Sequence, residues 1–203
     1  VVVPVGWEFY EISDVAKEYP DTKFIWVDNP AEGIEDLPNV LCILYAQNEG
    51  SFLAGYIAAS MSETGVVGAV GGEDNDTIND FLIGYKEGAQ YANPDIKVVT
   101  NYANTYEDPA KGKECALALN SQGADVIFAV AGNTGNGVFA AAKEKGFYVI
   151  GVDQDQKLSA PEYDEQIICS MKKEVGTSVY DTVKALIEDD TWDGGRIWTA
   201  DMA

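Results

Sequence analysis

Short apolar runs alternate with helical stretches along the whole chain, and this alternation limits the possible folds more than any other feature. Runs at 1–5, 24–27, 40–45, 66–71, 96–102, 125–131, 147–152 and 166–171 are rich in Val, Ile, Phe and Tyr. Several are apolar at successive positions, which suits parallel strands covered on both faces. Helical stretches fill the gaps. One spans 51–62, after Glu49 and Gly50. The next, 77–91, carries Ile78, Phe81, Leu82, Tyr85 and Ala89 at helical spacing, and Asn93-Pro94 ends it. Asp108-Pro109 predicts an N-cap with proline at the first helical position, opening a helix that stops at Gly123. Helices over 134–145, closed by Gly146, and over 174–188 complete the series. Strands and helices in this order predict right-handed βαβ units, hence an α/β fold of parallel sheets flanked by helices.

The 203 residues suffice for one large domain or two small ones, and the 46% hydrophobic content supports a buried core. With 34 acidic and 13 basic residues the formal net charge is −21, which argues against nucleic acid or an anionic membrane surface as partner. The apolar runs fall far short of the ~20 residues of a membrane helix. No charged-then-apolar signal segment opens the chain. Val1 begins directly on VVVPVG, which reads as a buried strand, so further residues are expected to precede it. Cys42, Cys115 and Cys169 lack C-x-x-C spacing and sit in apolar runs, so they read as small core residues.

In an open parallel sheet, ligands bind beyond the carboxyl ends of the strands. Those positions hold Gly6-Trp7, Gln47-Asn48-Glu49, Gly72-Glu73-Asp74-Asn75-Asp76, Asn104-Thr105-Tyr106, the glycine-rich turn AGNTGNG at 131–137, Asp153-Gln154-Asp155-Gln156 and Lys172-Lys173. Aromatic faces hold a flat ring, while carboxylates and amides take pairs of hydroxyls, so the set suits a neutral polar ligand such as a sugar or nucleoside. The glycine turn has neither a phosphate-loop ending nor G-x-G-x-x-G order. It is either a tight turn that needs glycine dihedrals or a set of amides facing a ligand oxygen. Asp153 and Asp155 read three ways: as a Mg²⁺ site with an aspartyl nucleophile, as acceptors for ligand hydroxyls, or as solvated turn carboxylates. Lys173 could be a solvated lysine, and Trp7 and Tyr106 ordinary half-buried aromatics. There is no histidine, hence no Ser-His or Cys-His pair and no histidine metal cluster, and nothing positive points to an enzyme.

The run NEGSFLAGYIAASMSETGVVGAVGG resembles the E-x-x-F-L-A-G helix and T-G-x-V-G-x-x-G-G strand of the basic membrane protein (BMP) family. FLIGYKEGAQYANPDIKV, NYANTYEDPAKGKECALAL, DVIFAVAGNTGNGVFAAAKE, GVDQDQ and CSMKKEVG resemble later family motifs, in the family's order and spacing over nearly the whole chain. The resemblance implies a type I periplasmic-binding-protein fold, in which two α/β lobes joined by crossing strands capture ligand in the cleft between them by closing. It implies a lipoprotein outside the membrane that delivers a purine nucleoside to an ABC permease, with neither cofactor nor metal. It divides the chain into a partial N-terminal lobe at 1–62, a C-terminal lobe at 63–180 and a helix with a return segment at 181–203, short of the family pattern at both ends. Tyr106 falls where a family aromatic stacks on the base, with Tyr in place of the usual Phe. Gly132 and its neighbour Asn133 fall where backbone approaches the ligand. Asp153 and Lys173, rather than Lys172, fall on the residues expected to reach the ribose. Glu49, Phe52 and Trp7 are expected to face the cleft from the first lobe. Two other readings stand beside this one. A Mg²⁺-dependent phosphatase would use Asp153 as nucleophile and Asp155 as acid. A transcription-linked sensor could be built on the same lobes.

Overall fold

The computed structural model describes residues 1–200, apart from the side chain of Trp7. Its strands are β1 (Phe24–Val27), β2 (Val40–Tyr45), β3 (Val66–Gly71), β4 (Lys97–Tyr102), β5 (Val126–Val130), β6 (Tyr148–Asp153), β7 (Ile167–Lys172) and β8 (Arg196–Ala200). Its helices are α1 (Ile12–Glu18), α2 (Gln47–Met61), α3 (Asp76–Ala92), α4 (Pro109–Ser121), α5 (Gly135–Lys145), the single turn α6 (Gln156–Ser159) and α7 (Val175–Glu188). Every paired strand is parallel, as the successive-apolar runs imply. No described helix is long and apolar enough to cross a membrane.

The chain forms two compact units. One comprises 1–46 and the segment from Glu174 onward, and the other is Gln47–Lys173. The first unit has a three-stranded sheet in the order β1-β2-β8. Phe24, Trp26, Val40 and Cys42 pack on Ile12 and Ala16 of α1. The alternate residues Ile25, Val27, Leu41 and Ile43 pack on Val175, Val179 and Val183 of α7. This period-2 division is what a strand with two covered faces requires.

The second unit has a five-stranded sheet in the order β4-β3-β5-β6-β7. Val67, Ala69, Phe128, Val130, Ile150 and Val152 meet α2 and α3 on one face. Val70, Ile127, Ala129, Val149 and Ile167 meet α4 and α5 on the other. The α4 cap is built as Asp108-Pro109 predicts, with Asp108 Oδ1 accepting from the Ala110 and Lys111 amides at 2.9 and 3.2 Å. Cys42 and Cys115 are buried and Cys169 half-buried, and burial raises all three thiols above their ordinary range.

Three features differ from expectation. Residues 1–5 make only isolated bridges to β1, Val2 to Phe24 and Val5 to Val27, and Val1, Val2, Val3 and Val5 stay exposed. Pro4 has no amide hydrogen to give a ladder, and the segment lies at an edge. Second, Arg196–Ala200, expected only as part of a return segment, is a strand paired to β2. Third, the compact units divide after Ala46 and after Lys173, not at 62/63 and 180/181. The reason is the packing of α2, whose backbone lies directly against α3: a methyl group added at Gly55, Gly84 or Gly88 would overlap backbone of the facing helix. Helix α7 instead buries Val175, Val179 and Val183 with the first unit.

Candidate functional site

The five-stranded sheet has a topological switch between β3 and β5, because the chain leaves β3 toward β4 on one side and returns to β5 on the other. Crevices at the carboxyl end of such a switch receive ligands. Tyr106, carried on the loop after β4, lies at this point. Its ring rests on Gly72 at the end of β3, where any side chain would overlap the ring carbons. Its Cβ sits 3.4 Å from where a Cβ of Gly132, at the end of β5, would stand. The Thr134 amide donates to the Tyr106 carbonyl at 2.9 Å. The Thr134 hydroxyl donates to the Thr105 carbonyl at 3.1 Å and accepts from the Asp108 amide at 2.9 Å. Buried Thr134 therefore stitches the Tyr106 loop to the glycine turn.

Three turns at this edge use left-handed backbone: Asn104 (φ 57°), Gly132 (φ 53°) and Asp153 (φ 67°). Asn and Asp are the non-glycine residues that tolerate this region best, and such strain concentrates where a fold must present a group. Gly132 thus uses glycine's dihedral freedom in a tight turn, and it and Asn133 are both exposed, with Asn136 Nδ2 donating to Asn133 Oδ1 at 2.8 Å.

Asp153 ends β6 with an exposed side chain, and its carbonyl accepts from the Lys173 amide at 3.0 Å. Of the two adjacent lysines, Lys172 is exposed while Lys173 is only 9% exposed. The Lys173 ammonium lies 5.0 Å from the ring centroid of Phe81, inside cation–π range. Asp155 has a separate task, since its Oδ1 accepts from the Lys157 amide at 3.1 Å and caps α6. The loop between them is fastened from below, with Gln156 Oε1 accepting from the Val152 amide at 2.7 Å. No group of three or more His, Cys, Asp or Glu side chains among the described residues is arranged to hold a metal.

Tyr106, Gly132, Asn133, Asp153 and Lys173 are thus brought to one sheet edge, strand by neighbouring strand. Glu49 is exposed in the first turn of α2, the turn from which Gln47 Nε2 donates to Asp80 Oδ2 of α3 at 3.1 Å. Phe52 is not with them: its ring packs on Tyr91 with centroids 5.6 Å apart. Tyr91 is near the far end of α3, roughly 20 Å of helix from the sheet edge at ~1.5 Å per residue. Trp7 opens a short 3₁₀ turn, Trp7–Phe9, but its side chain lies outside the described residues. Sequence reasoning places Asn75 and Thr134 only within strand-end runs and Phe81 only on a helix face, and gives none of the three a role of its own, because their partners are distant in sequence.

The whole chain, residues 1–203, matches the family model described as ABC transporter substrate-binding protein PnrA-like. It is 38% identical to Basic membrane protein A2 of Borrelia garinii subsp. bavariensis over 93% of this chain and 57% of that protein. It therefore spans little more than half the length of that relative. A crystal structure of an ABC transporter system solute-binding protein from Aeropyrum pernix K1 superposes with a TM-score of 0.86 at 31% identity, covering 98% of this chain and 58% of that one. A transcriptional activator of the comK gene from Bacillus halodurans shares the fold, with a TM-score of 0.81 at 24% identity over 98% of this chain and 66% of that one.

Proposed function

Since the chain belongs to the PnrA-like family of ABC transporter substrate-binding proteins, whose members bind solutes and do not catalyse, we propose that it is the ligand-binding core of an importer's solute receptor, with a purine nucleoside or related ribose-containing compound as its solute. One observation supports this reading above the rest: an aromatic ring, a glycine turn, a carboxylate and a buried lysine lie in that order along a single sheet edge. From Gly72 just after β3 to Lys173 just after β7 there are three strand spacings, roughly 14 Å at ~4.8 Å each. A base laid against Tyr106 would bring its sugar toward Asp153 and Lys173. The carboxylate accepts from a ribose hydroxyl and the ammonium donates to one. Each charge-assisted hydrogen bond is worth ~1.5–3 kcal/mol. The Phe81 ring beneath Lys173 favours the cation without competing for its hydrogen-bond direction. The partner is an ABC permease, and the receptor works outside the cytoplasmic membrane, tethered by a lipid anchor; the names of the relatives agree with a membrane-associated protein.

A thermal-shift series on the full-length protein tests the ligand class. Inosine, guanosine or adenosine at one hundred times its dissociation constant stabilises a binder by about 2.7 kcal/mol and raises Tm by several degrees. A shift with free sugars but with no nucleoside would replace this ligand assignment.

A further inference from the structure

Tyr106 carries a hydroxyl that the stacking role does not need, and this hydroxyl meets the loop before α3. Asn75 Nδ2 lies 2.9 Å from the Tyr106 phenol oxygen. The direction of this bond is fixed by a second one. Asn75 is the N-cap of α3, with extended backbone, and its Oδ1 accepts from the Ile78 amide at 3.0 Å. The amide oxygen is therefore committed to the cap, and the NH₂ group must be the end that meets Tyr106. The loop bearing Asn75 is itself braced. The Tyr102 hydroxyl donates to Asn79 Oδ1, and Asn79 Nδ2 donates to Asp74 Oδ1 at 2.9 Å.

The ring is thus held from three directions. Gly72 supports its lower face, Thr134 fixes its backbone, and Asn75 holds the distal oxygen. A ring fixed only at its backbone would swing between the staggered wells of its first torsion. The phenol oxygen lies on the axis of the last torsion, so holding it fixes where the ring stands before ligand arrives and leaves the ring flip free. Ordering a group in advance removes part of the cost of binding.

We propose that Asn75 is a positioning residue for solute binding, and that the Tyr106 hydroxyl serves as its anchor point and not as a ligand contact. This rests on the reading of Tyr106 as the wall of the solute site. Asn75→Ser keeps a good helix cap but is too short to reach the phenol, and Tyr106→Phe removes the phenol and keeps the ring.

Two measurements on the full-length protein decide the matter. The first needs no ligand: the first-torsion rotamer of Tyr106, read by NMR from three-bond couplings to its γ-carbon in ¹³C,¹⁵N-tyrosine-labelled protein, its signals assigned by their absence in Tyr106→Phe. Asn75→Ser is expected to spread Tyr106 over more than one rotamer while leaving Tm within about a degree of wild type, since the cap is retained. The same single rotamer in Asn75→Ser overturns the tether. The second is titration with inosine. Each single variant is expected to weaken binding by about fivefold, the scale of one neutral hydrogen bond, and the double variant to be no weaker than either single one. Losses that multiply would show that the two residues act separately and overturn the proposal. If wild type binds no nucleoside, the ligand assignment fails, and the rotamer result still decides whether Asn75 holds Tyr106.

Discussion

Tyr85 of α3 is fully buried against Phe128, with ring centroids 5.3 Å apart, and its hydroxyl has no hydrogen-bond partner among the described residues. Burial, with lesser contributions from Asp125 and Cys169, raises this phenol well above its ordinary value of 10.0. A buried hydroxyl without a partner costs stability, so Tyr85→Phe is expected to match or exceed wild type in Tm. The pH dependence follows by linkage. Above about pH 10 the unfolded chain releases the Tyr85 proton while the folded chain keeps it, so stability falls as pH rises through that value. Tyr85→Phe should show a shallower alkaline loss, measured by urea unfolding at pH 8 and pH 10.5. Asp153 offers a second test at this scale. Asparagine tolerates the left-handed backbone at φ 67° and keeps the shape of the side chain. Asp153→Asn should therefore leave Tm nearly unchanged and weaken nucleoside binding by about tenfold or more, the loss of a charged acceptor. Parallel losses of Tm and affinity would instead assign Asp153 to the scaffold. The residue types at the strand ends were legible in the sequence, because carboxyl edges of parallel strands are where ligand groups collect. The left-handed turns at Asn104 and Asp153 and the Asn75–Tyr106 bond were not, because each depends on contacts remote in sequence.

Among the elements, α2 and α3 meet backbone to backbone at their glycines. Gly88 lies so close to the Phe52 carbonyl of α2 that an added methyl group would overlap it, and Gly55 meets the Tyr85 carbonyl in the same way. On an open helix, glycine to alanine gains up to about 1 kcal/mol. Here the sign reverses: Gly88→Ala is expected to cost about 1–3 kcal/mol, the scale of overpacking, and to lower Tm by several degrees. The strand and helix succession from β2 to β7 was legible because each element carries its own periodicity. The assignment of α2 to a unit was not. Its buried side is a run of small residues, Gly50, Ser51, Ala54, Gly55, Ala58 and Ala59, and small residues do not indicate which neighbour they approach. The same holds for 1–5, where a valine-rich run signals a strand but cannot signal that Pro4 interrupts its ladder with β1 and that its valines stay exposed.

For the molecule as a whole, charge matters most. A formal charge of −21 on 203 residues makes the folded state repel itself. Salt shortens the reach of that repulsion to ~8 Å at physiological ionic strength and ~3 Å at 1 M. Raising NaCl from 20 mM to 500 mM should therefore raise Tm, read by calorimetry without ligand. A neutral nucleoside is compatible with this charge, since its capture needs no basic surface beyond one buried lysine at the sheet edge. The direct test of solute and site together is isothermal titration of the full-length protein with inosine, guanosine, adenosine and ribose, in wild type and Asp153→Asn. Tight binding of purine nucleosides, weaker binding of ribose, and at least a tenfold loss in Asp153→Asn are expected. Equal binding of ribose and nucleosides, or affinity indifferent to Asp153, would contradict the assignment of this edge as a purine-nucleoside site.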